Sequence, residues 1–367
     1  MLTVIGTRPE AIKLAPVVLA LGERADSIES RVCLTAQHRS LVDDVLTAFS
    51  IIPDRDLGVM TAGQTLSRVA ARVLEGMDQV LELEEPDRVV VEGDTTTVMA
   101  TTVAAFHAGI PVAHVEAGLR TYDLGHPFPE EANRRIATIL TTIHLAPTEN
   151  ARRNLLAEGV PAESIHVTGN PGLDALRLAS DGRLGSTPSP VELRDGERLV
   201  LVTAHRRESF GPELRSICLA IARVASARAD GVRIVFPVHP NPKVERPVRE
   251  LLDGIPNVTL LGPVPYLAMV SLLRRSCLVL TDSGGLQEEG PALGKPVLVL
   301  RETTERPEAV DAGAARLVGR DADDIVEQTL ALLDDADRYA AMAVPRAIFG
   351  DGHAAPRIVD ALLGAAR

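Results

Sequence analysis

The sequence contains few aromatic residues. Its 367 residues include no tryptophan, three tyrosines and six phenylalanines. Proteins that bind single-stranded nucleic acid stack bases on aromatic side chains, so this class of function is disfavoured. A carbohydrate site built on aromatic platforms is disfavoured for the same reason.

Cysteines and long apolar runs are also scarce. Cys33, Cys218 and Cys277 are odd in number and far apart, and no CxxC pair occurs. This pattern fits reduced thiols better than disulfides or zinc ligands. The longest nearly apolar runs, such as 199–204, are far shorter than the roughly 20 residues that a spanning helix needs. Because the N-terminus also lacks a basic run before an apolar one, we predict a cytoplasmic protein.

The chain has an excess of acidic residues. Its 38 basic and 50 acidic residues give a net charge of −12. A chain of this charge has no bulk basic surface for nucleic acid or for an anionic membrane. We therefore expect neither partner, and any phosphate must be bound locally.

Short β-branched runs alternate with segments of helical length, which is typical of parallel sheets covered by helices. The predicted strands of the first half are 2–5, 31–35, 88–92, 111–115, 143–146 and 166–168. Those of the second half are 199–203, 233–238, 258–261, 277–281, 296–300 and 315–318. The fold class that we predict is α/β, with two Rossmann-like doubly wound domains facing a cleft.

The length and the turn-forming residues suggest where the domains divide. A chain of 367 residues is long enough for two domains of ~100–200 residues each. Glycine, proline and serine are dense between residues 178 and 198. We predict an N-terminal domain over 1–177, a linker over 178–198, a C-terminal domain over 199–350, and a C-terminal helix over 351–367. Packing of that helix back on the first domain is one option.

Most unusual residue clusters follow directly after a predicted strand. Open parallel sheets bind ligands at the carboxyl ends of their strands, so we expect these loops to form the ligand site. The clusters are 6–10, 92–96, 115–120, 205–209, 239–242, 282–289 and 304–308.

Ser283, Gly284 and Gly285 precede a helix that we predict to begin near Leu286. Glycines allow a ligand to approach the backbone, and the free amides at a helix start attract phosphate. An ordinary strand–turn–helix with a serine cap is about equally compatible with these residues alone. The acidic Glu288 and Glu289 in the next turn favour the ligand, because carboxylates there can hold ribose hydroxyls. No G-x-G-x-x-G follows the first strand, so tightly bound NAD is not expected.

Two cationic positions also follow strands. Arg8 precedes Pro9, so it is either a helix-start residue or a guanidinium that binds a diphosphate. His205 begins a cationic triplet. A solvated basic face is the commoner explanation of such a run, but such faces seldom follow a buried strand so abruptly.

Three carboxylates, Asp94, Glu116 and Glu130, lie after strands or in the loop that follows them. Glu116 lies between apolar neighbours, where burial without a partner would be costly. Structural alternatives exist, because Asp94 could cap the next helix and Glu131 could pair with Arg135. Together the carboxylates suggest acid–base chemistry on a nucleotide-bound sugar. The nine histidines are dispersed, no HExxH occurs, and no metal site is expected.

With these motifs in order, the sequence resembles the bacterial non-hydrolysing UDP-N-acetylglucosamine 2-epimerases. The resemblance runs from Gly6-Thr7-Arg8-Pro9-Glu10-Ala11-Ile12-Lys13 to Gly350-Asp351-Gly352, and includes 93–96, 114–120 and 281–289. It implies a fold like the GT-B glycosyltransferases. The implied activity interconverts UDP-GlcNAc and UDP-ManNAc without a cofactor, in a homodimer.

The resemblance also implies roles for individual residues. Asp94, Glu116 and Glu130 look like the catalytic carboxylates, assisted by Lys13 and His205. The residues that look like the UDP site are Arg8, His205, Ser283, Gly284, Gly285, Glu289 and Arg306.

The sequence departs from the family pattern at several positions. Glu92 stands where relatives often carry His or Gln. Gln37 matches a site where bacterial relatives bind a second UDP-GlcNAc as an activator, but Ser40 and Gly63 differ there. Activation by substrate is therefore left open. Three rival functions are a GT-B glycosyltransferase, a hydrolysing epimerase that releases UDP and ManNAc, and a nucleotide-sugar-binding protein without turnover.

Overall fold

The structure of the protein is a computed structural model that describes residues 1–35, 39–61, 63–185 and 187–364. The chain forms two compact units. Unit 1 comprises Met1–Gly185 and Phe349–Arg367, and unit 2 comprises Ser186–Ile348. The chain thus returns to unit 1 for its last segment.

The core of unit 1 is a seven-stranded sheet in the order β3-β2-β1-β4-β5-β6-β7, and every strand pair is parallel. Its strands are β1 (Leu2–Ile5), β2 (Arg31–Leu34), β3 (Arg55–Asp56), β4 (Val89–Glu92), β5 (Val112–Val115), β6 (Ile143–Ala146) and β7 (Ile165–Val167).

Helices of unit 1 connect these strands and form two separate layers. Its helices are α1 (Arg8–Gly22), α2 (Arg39–Ala48), α3 (Leu66–Glu84), α4 (Thr96–His107), α5 (Glu130–Leu140), α6 (Glu149–Ala157), α7 (Pro171–Ser180) and α15 (Ala354–Gly364). Helix α1 packs against α2, α7 and α15, whereas α4 packs against α3 and α5. The central strands read as continuous apolar runs because helices cover both faces of the sheet.

The C-terminal helix α15 is held to unit 1 by polar contacts as well as by packing. Two of its first amides, those of Ala354 and Ala355, donate to the Asp174 carboxylate on α7, each at 2.9 Å. Near its other end, the Leu362 carbonyl accepts from Arg88 at 2.6 Å. Burial raises the pKa of Asp174, although the two amide bonds oppose this effect. Asp174 therefore caps a helix that is about 180 residues distant in sequence.

Unit 2 contains a six-stranded sheet in the order β10-β9-β8-β11-β12-β13, again with parallel pairs. Its strands are β8 (Arg198–Thr203), β9 (Val232–Pro237), β10 (Val258–Leu261), β11 (Ser276–Thr281), β12 (Val297–Val299) and β13 (Ala315–Leu317). Its helices are α8 (Pro212–Ala227), α9 (Pro242–Leu252), α10 (Tyr266–Arg275), α11 (Gly284–Ala292), α12 (Pro307–Asp311), α13 (Ala322–Asp334) and α14 (Ala336–Met342).

The α/β fold class predicted from the sequence is confirmed, with twelve predicted strands found within one or two residues of their expected bounds. The thirteenth strand, β3, was not predicted. It consists of two exposed residues, Arg55 and Asp56, at the edge of the first sheet. Such a short polar segment has no hydrophobic alternation that sequence analysis could detect.

All three cysteines are free thiols, and Cys33 and Cys218 are buried. Burial raises the pKa of each of these two thiols to about 12. Of the helices in the described ranges, each is too short or too polar to cross a lipid bilayer.

Candidate active site

Both sheets reverse their strand order at one point, and several of the predicted site residues follow the strands beside it. In unit 1 the reversal lies between β1 and β4, and in unit 2 between β8 and β11. In open α/β sheets the loops at the carboxyl ends of these strands form the ligand crevice. Each unit therefore offers one candidate ligand site.

The candidate site of unit 1 centres on Lys13, which lies on α1 and is buried. Its ammonium nitrogen lies 2.5 Å from Glu116 Oε2 and 2.8 Å from Glu92 Oε1. Asn170 Nδ2 donates to the same Glu116 oxygen at 2.6 Å. Two of the predicted catalytic residues, Lys13 and Glu116, are thus in direct contact, together with two residues to which the sequence assigned no role.

The backbone at this point adopts conformations that L-residues rarely use. Glu116, directly after β5, has φ +64, and Gly93, directly after β4, has φ +80. A non-glycine residue in this region costs of the order of 1–3 kcal/mol and persists only where its surroundings fix it. A Cβ atom on Gly93 would lie 3.9 Å from Glu116 Oε1. The two strand ends therefore bring the Glu116 carboxylate against the backbone of Gly93.

Burial perturbs the ionisable groups around this cluster. The pKa of Glu92 lies well above its usual value, chiefly because the carboxyl is buried, and Glu116 raises it further while Lys13 opposes the shift. His114 on β5 contacts the Gly93 carbonyl through Nε2 at 2.6 Å. Burial lowers the pKa of His114 to about 4, so its ring is neutral at physiological pH.

Asp94 is held by α5. Arg134, which is buried, donates from Nη2 to Asp94 Oδ2 at 2.5 Å. The other terminal nitrogen of Arg134 lies 3.3 Å from the Glu131 carboxylate. Glu131 also accepts hydrogen bonds from the amides of Thr121 and Tyr122, each at 3.1 Å. A chain of contacts therefore joins the Asp94 carboxylate to the loop before α5.

Two structural alternatives raised by the sequence are wrong. Asp94 does not cap α4, because Thr95 occupies that position and its hydroxyl accepts from Val98 N. Glu131 pairs with Arg134, three residues on, and not with Arg135. Glu130, the third predicted carboxylate, is the first residue of α5 and is half-buried.

Arg8 opens α1 and is half-buried, and Pro9 follows it as the sequence suggested for a helix start. Glu10 fixes this turn: its carboxylate accepts from Gly6 N at 2.5 Å and from the Thr7 hydroxyl at 3.0 Å. Burial raises the pKa of Glu10 to about 7, against these hydrogen bonds.

The candidate site of unit 2 is the start of α11. This helix begins at Gly284, two residues earlier than predicted, with Ser283 at the N-cap. Within the described part of the chain, the Ser283 hydroxyl caps no amide of the helix. A helix start with small residues and no side-chain cap is suited to an anion. Glu289, half-buried, lies one and a half turns into the same helix.

Arg306 lies against this helix start. Its guanidinium is buried and donates to Glu288 and to Glu305, each at 2.5 Å. A Cβ atom on Gly284 would lie 2.6 Å from Arg306 Nη1, which is closer than side chains approach. Glycine at this position is therefore required for the guanidinium to pack beside the first turn of α11.

His205 is fixed by a fully buried carboxylate. Asp282 Oδ2 accepts the amides of His205 and Arg206 at 2.7 and 2.8 Å, and His205 Nδ1 lies 3.5 Å from Asp282 Oδ1. The ring of His205 stacks on that of His239 at a centroid distance of 5.4 Å. The loop after β8 is thereby tied to the loop after β11.

The predicted site residues fall into two groups that match the two units. Arg8, Lys13, Asp94, Glu116 and Glu130 belong to unit 1, and the other predicted UDP-binding residues belong to unit 2. Gln37, the proposed activator-site residue, lies outside the described residues.

Sequence analysis gave no role to Glu92, Asn170, Arg134 or Asp282, although each contacts a predicted site residue. Asp282 carried the best signal, because it follows β11 directly. The partners of the other three become visible only in three dimensions.

Comparison with known proteins identifies the family. A sequence profile of UDP-N-acetylglucosamine 2-epimerase matches residues 20–363. The chain belongs to the UDP-N-acetylglucosamine 2-epimerase family. It is 51% identical to the UDP-N-acetylglucosamine 2-epimerase of Salmonella typhimurium, an alignment that covers 99% of this chain and 98% of that protein. The identity to the Escherichia coli enzyme is 50%, with the same coverage.

Solved structures of the family agree with this assignment. UDP-GlcNAc 2-epimerase from Neisseria meningitidis, solved bound to UDP-GlcNAc, superposes with a TM-score of 0.94 at 44% identity, and 99% of each chain is covered. The enzyme of Methanocaldococcus jannaschii, solved in complex with UDP-GlcNAc and UDP, has a TM-score of 0.85 at 32% identity, also over 99% of each chain.

Proposed function

We propose that this family member interconverts UDP-GlcNAc and UDP-ManNAc, and that it does so without net hydrolysis. The observation that carries the proposal is the buried contact of Lys13 with Glu116 at the end of β5. It supplies a fixed carboxylate for proton transfer. The chain that carries it aligns with UDP-N-acetylglucosamine 2-epimerases over almost their whole length.

Unit 2 is proposed to hold UDP. The start of α11 presents the amides of Gly284 and Gly285, which suit the diphosphate. Ser283 is proposed to bind it through its hydroxyl, because its amide donates to Thr281 Oγ1 at 2.9 Å. Arg306, packed against that turn, is proposed to donate to the diphosphate from guanidinium N–H groups other than those that Glu288 and Glu305 accept. Glu289 on the same helix would accept from the ribose hydroxyls. His205 and Arg8 are proposed as further ligands of the nucleotide.

The chemistry requires that the bond between C1 of the sugar and UDP break during the reaction. The C2 proton of the sugar has no neighbouring carbonyl, so simple deprotonation is prohibitive. When the C1–O bond to UDP breaks, C1 becomes oxocarbenium-like and C2–H becomes acidic enough for a carboxylate to remove. The products of this step are 2-acetamidoglucal and UDP, and both stay bound. A proton then returns to the opposite face of C2 while a phosphate oxygen of UDP attacks C1.

Unit 1 is proposed to supply the proton-transfer groups. Asp94, Glu116 and Glu130 are the candidate acids and bases, because general acid–base catalysis needs side chains of matched pKa at the reacting atoms. Lys13 would keep Glu116 oriented, since it contacts that carboxylate at 2.5 Å. We assign no carboxylate to either face of the sugar.

No cofactor enters this scheme. The proton leaves and returns at the same carbon, and the leaving group becomes the nucleophile, so atoms and electrons balance without a metal ion or NAD. We also propose a cytoplasmic homodimer, which rests on the resemblance alone.

Product analysis tests the proposal. The purified protein would be incubated with UDP-GlcNAc alone, and the nucleotides and free sugars separated by chromatography. We expect UDP-ManNAc at equilibrium with UDP-GlcNAc, approached from either substrate. Free ManNAc with stoichiometric UDP would identify a hydrolysing enzyme. Release of UDP only when an acceptor sugar is added would identify a glycosyltransferase.

A further inference from the structure

Glu92 is the second carboxylate of the Lys13 cluster. It is the last residue of β4 and is buried, with Oε1 2.8 Å from Lys13 Nζ. Lys13 thus lies between Glu92 and Glu116 and contacts both. Lys13 and Asn170 both donate to the same Glu116 oxygen, Oε2.

The cluster cannot hold all its charges at low cost. One ammonium and two carboxylates carry a net charge of −1 when all are ionised. Excess charge in a desolvated site is unfavourable, and two nearby carboxylates disfavour each other's ionisation. Glu92 is the member whose pKa is raised, mainly by burial.

Two other titratable groups near Glu92, those of Glu10 and His114, do not compensate for this charge. Glu10, from α1, adds a further acidic group that raises the pKa of Glu92. His114, whose ring contacts the Gly93 carbonyl from β5, is neutral at physiological pH. Neither residue brings a second positive charge to Glu92.

We propose that Glu92 is a positioning residue for proton transfer at Glu116, because it competes with Glu116 for Lys13 and adds a negative charge when it ionises. With Glu92 protonated, the whole charge of Lys13 stabilises the Glu116 carboxylate and weakens it as a base. With Glu92 ionised, Lys13 is shared, and Glu116 becomes the stronger base. This inference rests on the proposed function, in which Glu116 takes part in the proton transfer.

The test compares wild type with Glu92→Gln, which keeps an acceptor for Lys13 but cannot ionise. The initial rate of UDP-ManNAc formation would be measured from about pH 5.5 to 9.5. We expect the ratio of wild-type to variant kcat to fall toward one at the acid end, where protonation of Glu92 is most complete. It should rise to about tenfold at the alkaline end, because a carboxylate a few ångströms away strengthens Glu116 as a base. KM should change less than about twofold, since Glu92 acts through Lys13.

Two further variants separate this effect from a structural one. Glu92→Asp keeps an ionisable group and should restore the rise of kcat toward alkaline pH. Glu84→Gln removes a largely buried carboxylate that pairs with Arg55 on the same unit. The ratio of wild-type kcat to the kcat of this variant should not depend on pH. A ratio for Glu92→Gln that is constant across the pH range would overturn the proposal, because a purely structural loss acts equally at every pH.

A titration without substrate provides a second measurement. In protein labelled with 13C at the glutamate carboxyl, wild type should show a resonance that titrates well above the usual range of a glutamate and that Glu92→Gln removes. Persistence of every such resonance in the variant would also overturn the proposal. If wild type formed no UDP-ManNAc at all, the proposed function itself would be wrong, which is a different result from an active enzyme with a flat ratio.

Discussion

Alanine at Gly284 should destabilise unit 2 and weaken binding of UDP. The added Cβ atom would lie 2.6 Å from Nη1 of Arg306, 2.8 Å from its Cζ and 3.0 Å from its Nη2. The guanidinium cannot yield easily, because Glu288 and Glu305 hold it at 2.5 Å each and it is buried. Something in the first turn of α11 must therefore shift.

The expected change in the free energy of unfolding is the difference between two opposing effects. Overpacking of a well-packed site costs ~1–3 kcal/mol. Alanine in place of glycine in a helix contributes roughly 0.5–1 kcal/mol in the other direction. We expect Gly284→Ala to lower the free energy of unfolding by about 1 kcal/mol, the difference between these effects.

Gly285 offers a matched control on the same turn. Among the described residues, a Cβ atom there would meet nothing within 4 Å, and its φ is not positive. Gly285→Ala should therefore raise the free energy of unfolding by about 0.5–1 kcal/mol. Urea unfolding followed by circular dichroism measures both variants. Equal stability of the two variants would refute the packing argument.

Binding of UDP to the first variant is measured by calorimetry. Loss of a charge-assisted hydrogen bond is worth ~1.5–3 kcal/mol, so the Kd for UDP should rise about tenfold or more in Gly284→Ala. An unchanged Kd would mean that Arg306 does not bind the nucleotide.

Three further predictions concern unit 1. Amide replacements of Asp94, Glu116 and Glu130 should each lower kcat at least ~100-fold with UDP affinity retained, and near-normal kcat in all three would contradict their assignment. Asn170→Ser keeps a cap for α7 but cannot reach Glu116 as the amide does at 2.6 Å, so kcat should fall while the Tm barely changes. Glu10 has its pKa raised to about 7 in the folded protein, so wild type should lose stability as pH rises from about 4.5 through 7, by about 3 kcal/mol in all. Glu10→Gln, measured by thermal unfolding across that range, should lack this loss.

The fold could be predicted from the sequence because its signals are local. Buried parallel strands appear as short apolar runs, and each spans only a few residues, as 199–203 shows. Their order in the sheet determines which loops meet, and clusters at 92–96 and 282–289 follow the strands beside the reversal points. The predicted helix boundaries were less accurate where capping is unusual. Helix α11 begins at Gly284, and within the described residues the Ser283 hydroxyl makes no cap bond.

The contacts within the site could not be predicted because they join distant positions. Lys13 is 79 residues from Glu92 and 103 from Glu116, and no periodicity links such positions. Even the local pairing of Glu131 was misassigned, because residues three and four apart on a helix are both neighbours. The choice of Arg134 follows from its second contact, with Asp94, which lies on another element.

Exchange of the C2 proton with solvent tests the proposed reaction most directly. Purified protein would be incubated with UDP-GlcNAc in D2O, without metal, NAD or acceptor, and followed by proton NMR. We predict UDP-ManNAc with deuterium at C2, accompanied by deuterium in the recovered UDP-GlcNAc. UDP-ManNAc that keeps its original C2 proton would contradict proton transfer through solvent-exchangeable carboxylates.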